Sequence, residues 1–182
     1  MGFWILLAFL IVQRLIELVI ARRNERWMKA QGAYEAGAEH YKWIVAIHVG
    51  FFIALFVEVK LFGSHPAFWW AVPFFFFALA QIMRFWALFS LGRYWNTKII
   101  VLPGADAVEK GPYRFFRHPN YVIVATEILM VPLIFQAYVT AVVFSVLNAF
   151  ILLWVRIPSE EKALREVTNY DETVGGKHRF FP

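Results

Sequence analysis

The chain has 182 residues, of which 60% are hydrophobic and only 17% charged, with a formal net charge of +5 at pH 7. A single domain of this size cannot hide so much apolar surface from water. The same balance excludes a disordered chain, and the few excess cations, scattered between apolar runs, argue against a nucleic-acid-binding domain.

The mean hydropathy is +0.56 and the sequence pI about 9.6. Cysteine is absent, which removes disulfides, a thiolate metal site and a cysteine nucleophile, and no metal site is expected. An all-α integral membrane protein remains, organised as one membrane domain over residues 1–182.

A helix needs roughly 20 mostly apolar residues to cross the hydrocarbon core. In chain order, about five such stretches occur, over residues 3–21, 43–62, 67–91, 119–135 and 138–155. The first is no cleavable leader, because it lacks a basic start and Gln13, Arg14 and Glu17 interrupt it. Only Gln136 and Ala137 separate the last two, so these form a tight antiparallel hairpin. A helix on the cytoplasmic side follows, from about residue 160 to 168.

Lysine and arginine mark the cytoplasmic side of a bilayer. Five fall after the first span (Arg22, Arg23, Arg26, Lys29, Lys42), five after the third (Arg93, Lys98, Lys110, Arg114, Arg117) and five in the tail (Arg156, Lys162, Arg165, Lys177, Arg179). Lys60 alone lies opposite them. The expected N-terminus is therefore outside, and the C-terminus cytoplasmic. The connector over 22–42 reads either as a lid over a site or as a solvated link.

Charges inside spans are costly and are normally buried against a partner. Arg14 and Glu17 lie three apart on one helix face and can pair. Arg84, Glu127 and Asn148 fall in the third, fourth and fifth spans. Such groups serve either as glue between helices or as functional residues.

The stretch Leu91 to Tyr121 carries most of the chemistry. Residues 97–102 are short and β-branched, like a strand at the membrane surface, and Pro103-Gly104 and Gly111-Pro112 are turns. Pro119 suits the first position of the fourth span. The helix start can receive an anionic group, with Arg117 and His118 as added donors. After the fifth span, Ser159 reads as an N-cap followed by Glu160 and Glu161 in the first turn. Either glutamate can meet a cationic group.

These residues carry a resemblance. Gly111-Pro112-Tyr113-Arg114, then Arg117-His118-Pro119-x-Tyr121, then Glu127, together with Arg156-x-x-x-Glu160-Glu161-x-x-Leu164, resemble the isoprenylcysteine carboxyl methyltransferase family, with the phospholipid methyltransferases as broader relatives. Leu91-Gly92-x-x-Trp95 and the terminal Arg179-Phe180-Phe181-Pro182 fit as well. The tail departs from the family pattern: Tyr170 stands alone where two tyrosines are common, and Gly175 and Gly176 come late.

The resemblance implies a helical membrane enzyme that moves a methyl group from S-adenosylmethionine to a lipophilic acceptor. It places the cofactor site in about residues 92–182. Tyr113, His118, Pro119 and Tyr121 would line that site, and Glu160 or Glu161 would bind the cofactor's amino group. Arg117 and Arg156 would face a carboxylate, and Glu127 is a further catalytic candidate. The implied acceptor is an isoprenylcysteine carboxylate or, in a bacterial host, a polyketide lipid such as a long-chain alkylpyrone. Two other readings remain open: an NADPH-dependent sterol-type reductase, and a non-catalytic lipid-binding membrane protein.

Overall fold

A computed structural model describes residues 1–62, 65–170 and 173. The terminal Arg-Phe-Phe-Pro motif and the late glycines lie outside the described residues. Among those described, four helices are long and apolar enough to cross a membrane: Gly2–Lys29, Ala38–Phe62, Ala71–Tyr94 and Tyr138–Val167. Pro119–Ile134 is apolar but shorter. Large side chains such as Phe75, Ile82, Val142 and Leu61 stand exposed on the outer faces, which only a lipid surrounding makes favourable.

Helix α1 spans Gly2–Lys29. It outruns the apolar stretch because its last turns are helix-compatible and carry an i,i+4 pair, with Lys29 Nζ 2.6 Å from Glu25. Gly32 turns the chain with φ +94°, a conformation that glycine adopts without penalty. Strand β1 (Tyr34–Ala36) follows, then α2 (Ala38–Phe62) and α3 (Ala71–Leu91). A short turn of helix at Gly92–Tyr94 leads to strand β2 (Ile99–Val101).

The expected strand is therefore present, and its partner is the connector after α1. β1 and β2 pair antiparallel, with Glu35 opposite Ile100. Ile99 and Val101 pack against Ala163 of the last helix. The connector thus carries a strand of a two-stranded sheet, and its Ala36 packs against the same cluster.

Helix α4 begins at Pro119, as expected from the missing N–H, with His118 as the residue before it. It packs on α3 and on α5 (Tyr138–Ile151), with three residues between α4 and α5. Gln136 takes φ +61° in that turn.

The tail helix differs from expectation. Helix α6 (Ile157–Val167) is no separate element: α5 runs into it through a widened, π-type turn over Leu152–Arg156. Pro158 lacks an N–H, and a locally wider turn absorbs the missing bond. Ser159 is accordingly not an N-cap. Its hydroxyl donates back to the Val155 carbonyl at 2.7 Å, within the continuous helix.

The interior has two zones. Phe3, Leu10, Phe51, Leu55, Phe77, Ile128 and Val131 form an apolar core toward the end that carries Lys60. Between that core and the loops sits a buried polar cluster. Arg84 Nε and Nη2 reach Glu127 at 2.9 and 2.5 Å, and Arg84 Nη1 reaches Glu17 at 3.1 Å. Arg14 pairs with Glu17 at 2.7 Å and also bonds Glu127. Gln81 donates to Glu127 at 2.6 Å and accepts from Gln13 at 2.8 Å. Two arginines face two glutamates, so the cluster is neutral, as burial in a low-dielectric interior requires. It joins α1, α3 and α4.

Candidate active site

The starts of α4 and α6 bring the motif residues together at the loop-rich end. His118 Nε2 lies 3.1 Å from Glu161 Oε1, and Arg165 Nη2 lies 3.6 Å from the other oxygen of Glu161. The His118 ring stacks on Tyr121, with centroids 5.3 Å apart. The Tyr121 hydroxyl donates to Glu160 and accepts from Arg156 Nε at 2.9 Å. Arg156 Nη2 donates to the Thr97 carbonyl at 3.1 Å. Its third nitrogen, Nη1, has no hydrogen-bond partner among the described residues, although the side chain is 8% exposed. Asn120 Nδ2 donates to the Tyr113 hydroxyl at 2.8 Å.

The loop after β2 is clasped to the end of α6. Gly104 N–H donates to the Val167 carbonyl at 2.9 Å, and Ala107 N–H to Asn169 Oδ1 at 2.9 Å. Tyr170 lies beside them, 5% exposed, and its hydroxyl has no partner among the described residues. An unsatisfied buried hydroxyl is costly, and Tyr170 borders an adjoining space.

That space is a cavity of about 580 Å³, within the range of small-molecule sites. Tyr113, Arg117, His118, Pro119, Tyr121, Arg156, Glu160 and Tyr170 line it. Of the two adjacent glutamates, Glu160 faces the cavity, while Glu161, 1% exposed, stands behind and holds His118. Glu127 is not on its wall and belongs to the buried cluster, where donors from three residues occupy its two oxygens.

The cavity continues from this polar chamber into the bundle between α1 and α2. Leu15, Leu18, Val45, Val49 and Phe52 form its sides. Leu15 and Val49 of this lining are more than half exposed. Nearer the other end of the bundle Trp4 meets Phe56 at 5.8 Å and Lys60 sits over the Trp4 ring at 4.9 Å, and none of the three lines the cavity.

Two features escaped the motif reading. Tyr41 of α2 lines the cavity, with its hydroxyl 3.2 Å from Thr97 Oγ1. Lys98 joins Glu25 of α1 and Glu35 of β1 at 3.2 and 3.0 Å. Burial works against its charge, but the hydrogen bonds it donates to these carboxylates prevail and hold the ammonium above its ordinary range. The alternation of Lys98 with Glu25 and Glu35 was the only available signal, and it needs the strand pairing to be read.

Burial also pushes the phenols of Tyr113 and Tyr170 above their ordinary value of 10.0. The nearby Glu160 carboxylate adds to the first, and Glu161 and Glu160 add to the second. Both phenols stay neutral donors at physiological pH.

A helical membrane bundle with a polar chamber at one end defines the class. Residues 71–166 match the isoprenylcysteine carboxyl methyltransferase (ICMT) family, and the chain belongs to that family. It is 52% identical over 164 residues to the protein YpbQ of Bacillus subtilis (strain 168), described as uncharacterized, covering 90% of this chain and 97% of that one. An uncharacterized protein of Haemophilus influenzae is 30% identical over 162 residues, covering 86% of this chain and 91% of that one. No solved structure matches significantly.

Proposed function

We propose that this chain is an S-adenosylmethionine-dependent O-methyltransferase whose acceptor is a lipid-soluble molecule carrying an acidic oxygen. The observation that carries the reading is one cavity that joins a polar chamber to an apolar-walled channel between α1 and α2, whose wall residues Leu15 and Val49 are exposed. Such a space admits one reactant from water and one from lipid.

The donor set suits the cofactor. Glu160 offers a carboxylate to its ammonium group, and Tyr170 offers a buried hydroxyl that has no other partner among the described residues. Pro119 opens a helix whose N-terminus favours a carboxylate, with Arg117 beside it. When bound, S-adenosylmethionine supplies the methyl carbon, and its sulfur keeps the bonding electron pair as the acceptor oxygen forms the new O–C bond.

The chain's own part is to hold and orient. Arg156 is fixed by Tyr121 and Thr97 and lines the cavity, where its remaining Nη1 would hold the acceptor's anionic oxygen. An ionised carboxylate or enolate needs no base, so Arg156 need only align it. Positioning then provides most of the acceleration, and a fixed cation beside the reacting oxygen costs no reorganisation. Glu161 keeps His118 in place from behind, and Glu127 holds helices together and does not touch the acceptor. The expected orientation puts the chamber on the cytoplasmic side. The bacterial origin of both relatives favours a polyketide lipid such as a long-chain alkylpyrone over an isoprenylcysteine.

Calorimetry with purified protein in detergent tests this. S-adenosylmethionine should bind saturably, and His118→Ala and Glu160→Gln should weaken binding at least tenfold. Methyl-labelled cofactor should then transfer label to an organic-phase product in the presence of a 6-alkyl-4-hydroxy-2-pyrone. Folded protein that binds NADPH and ignores S-adenosylmethionine would be a reductase instead. Protein that binds neither would have a non-catalytic, lipid-binding role.

A further inference from the structure

The channel between α1 and α2 is not apolar along its whole length. Asn148 of α5 lines it, is 2% exposed, and its carboxamide makes no hydrogen bond to any described residue. His48 of α2 lines it too. The His48 Nδ1 lies 2.8 Å from the Ile44 carbonyl, which can only accept, so Nδ1 carries the proton and Nε2 presents a lone pair. Arg14 of α1 lines it as well, with its side chain 24% exposed.

These three groups lie at one depth. Asn148 is eight residues before Arg156, which bonds Thr97. His48 is seven residues beyond Tyr41, which also bonds Thr97. Arg14 is seven residues before Ala21, whose carbonyl accepts from Asn96. At about 1.5 Å per residue, each is about 10–12 Å below the level of Thr97 and Arg156. Three helices therefore converge on one polar tier of the channel, beside Glu17 and Arg84, which also line it.

A plain hydrocarbon tail would leave the Asn148 carboxamide unsatisfied in a dry setting, which is unfavourable. An ion does not suit the tier, because Glu17 and Glu127 already balance Arg14 and Arg84. The remaining demand is for a neutral oxygen that both donates and accepts.

We propose that this tier is a second polar subsite, selective for acceptors that carry an uncharged hydroxyl partway along the tail, about 10 Å from the methylated oxygen. The proposal rests on the methyltransferase reading and adds to it which lipids the enzyme prefers.

The test compares two tritiated probes, 4-hydroxy-6-pentadecyl-2-pyrone and the same molecule with a hydroxyl midway along the chain. Binding to full-length protein in nanodiscs is measured with and without S-adenosylmethionine. Wild type should hold the hydroxylated probe about tenfold more tightly, the equivalent of one well-made hydrogen bond. Asn148→Leu and His48→Phe should each erase that preference while still binding the plain probe. Equal binding of both probes to wild type, or a preference that survives both substitutions, overturns the subsite and leaves the methyltransferase reading intact. Failure of both probes to bind protein that binds S-adenosylmethionine overturns the pyrone acceptor, and the subsite with it.

Discussion

His118 and Glu161 meet at 3.1 Å with both side chains 2% exposed, and this contact ties the residue before α4 to the middle of α6. Glu160, the neighbour of Glu161, points to the cavity instead. One turn of helix thus divides two identical side chains between support and binding.

Glu161→Gln should lower stability by about 1–3 kcal/mol, the range for weakening a buried polar contact. Glu160→Gln should leave stability nearly unchanged and lower S-adenosylmethionine affinity. Thermal unfolding and calorimetry on the two variants separate these effects. The reverse pattern would exchange the two roles.

Glu127→Gln leaves Arg14 and Arg84 with Glu17 as their remaining carboxylate. Removing one member of a buried charge network costs about 3–5 kcal/mol. The expected result is a large fall in thermal stability with turnover per folded molecule unchanged. Lost turnover in a stable variant would return Glu127 to the reaction.

Gly111 has φ +57°, and a Cβ there would come within 1.9 Å of Ser90 Oγ and 2.9 Å of Trp86 Nε1. Gly111→Ala is strained in backbone and in space and should cost at least about 1–3 kcal/mol. Adding Ser90→Ala removes the 1.9 Å contact but leaves the Cβ of residue 90 and Trp86 Nε1 at 2.9 Å, so it should relieve only part of the cost. Full rescue by the double substitution would show that the backbone angle is unimportant.

The folded state raises the phenols of Tyr113 and Tyr170 above 10.0, chiefly by burial. A raised value means that their contribution to stability is complete below pH 10.0 and is lost as pH climbs from there toward the folded values. The melting temperature should therefore decline above about pH 10, and Tyr113→Phe with Tyr170→Phe should flatten that decline. An unchanged slope in the double variant would exclude these two groups as its source.

Much of the bundle was legible because its causes are local. Apolar length marked the spans, Pro119 marked the start of α4, and β-branching at 99–101 marked β2. The i,i+3 spacing of Arg14 and Glu17 foretold their pair. The end of α5 was misread because Pro158 with Ser159 looks like a helix start, whereas the widened turn lets the helix pass through. β1 was missed because three residues carry too little periodicity to be seen without their partner.

The sequence by itself determined that this is a helical membrane protein and roughly where its apolar helices lie, since hydropathy, proline geometry and residue spacing act within a few turns of chain. Only the tertiary structure decided that Glu160 faces the cavity and Glu161 faces His118, that Glu127 is spent on two arginines, and that Asn148, His48 and Arg14 share one depth. Those relations depend on how helices far apart in the chain rotate and pack against one another, and local spacing holds no record of that rotation.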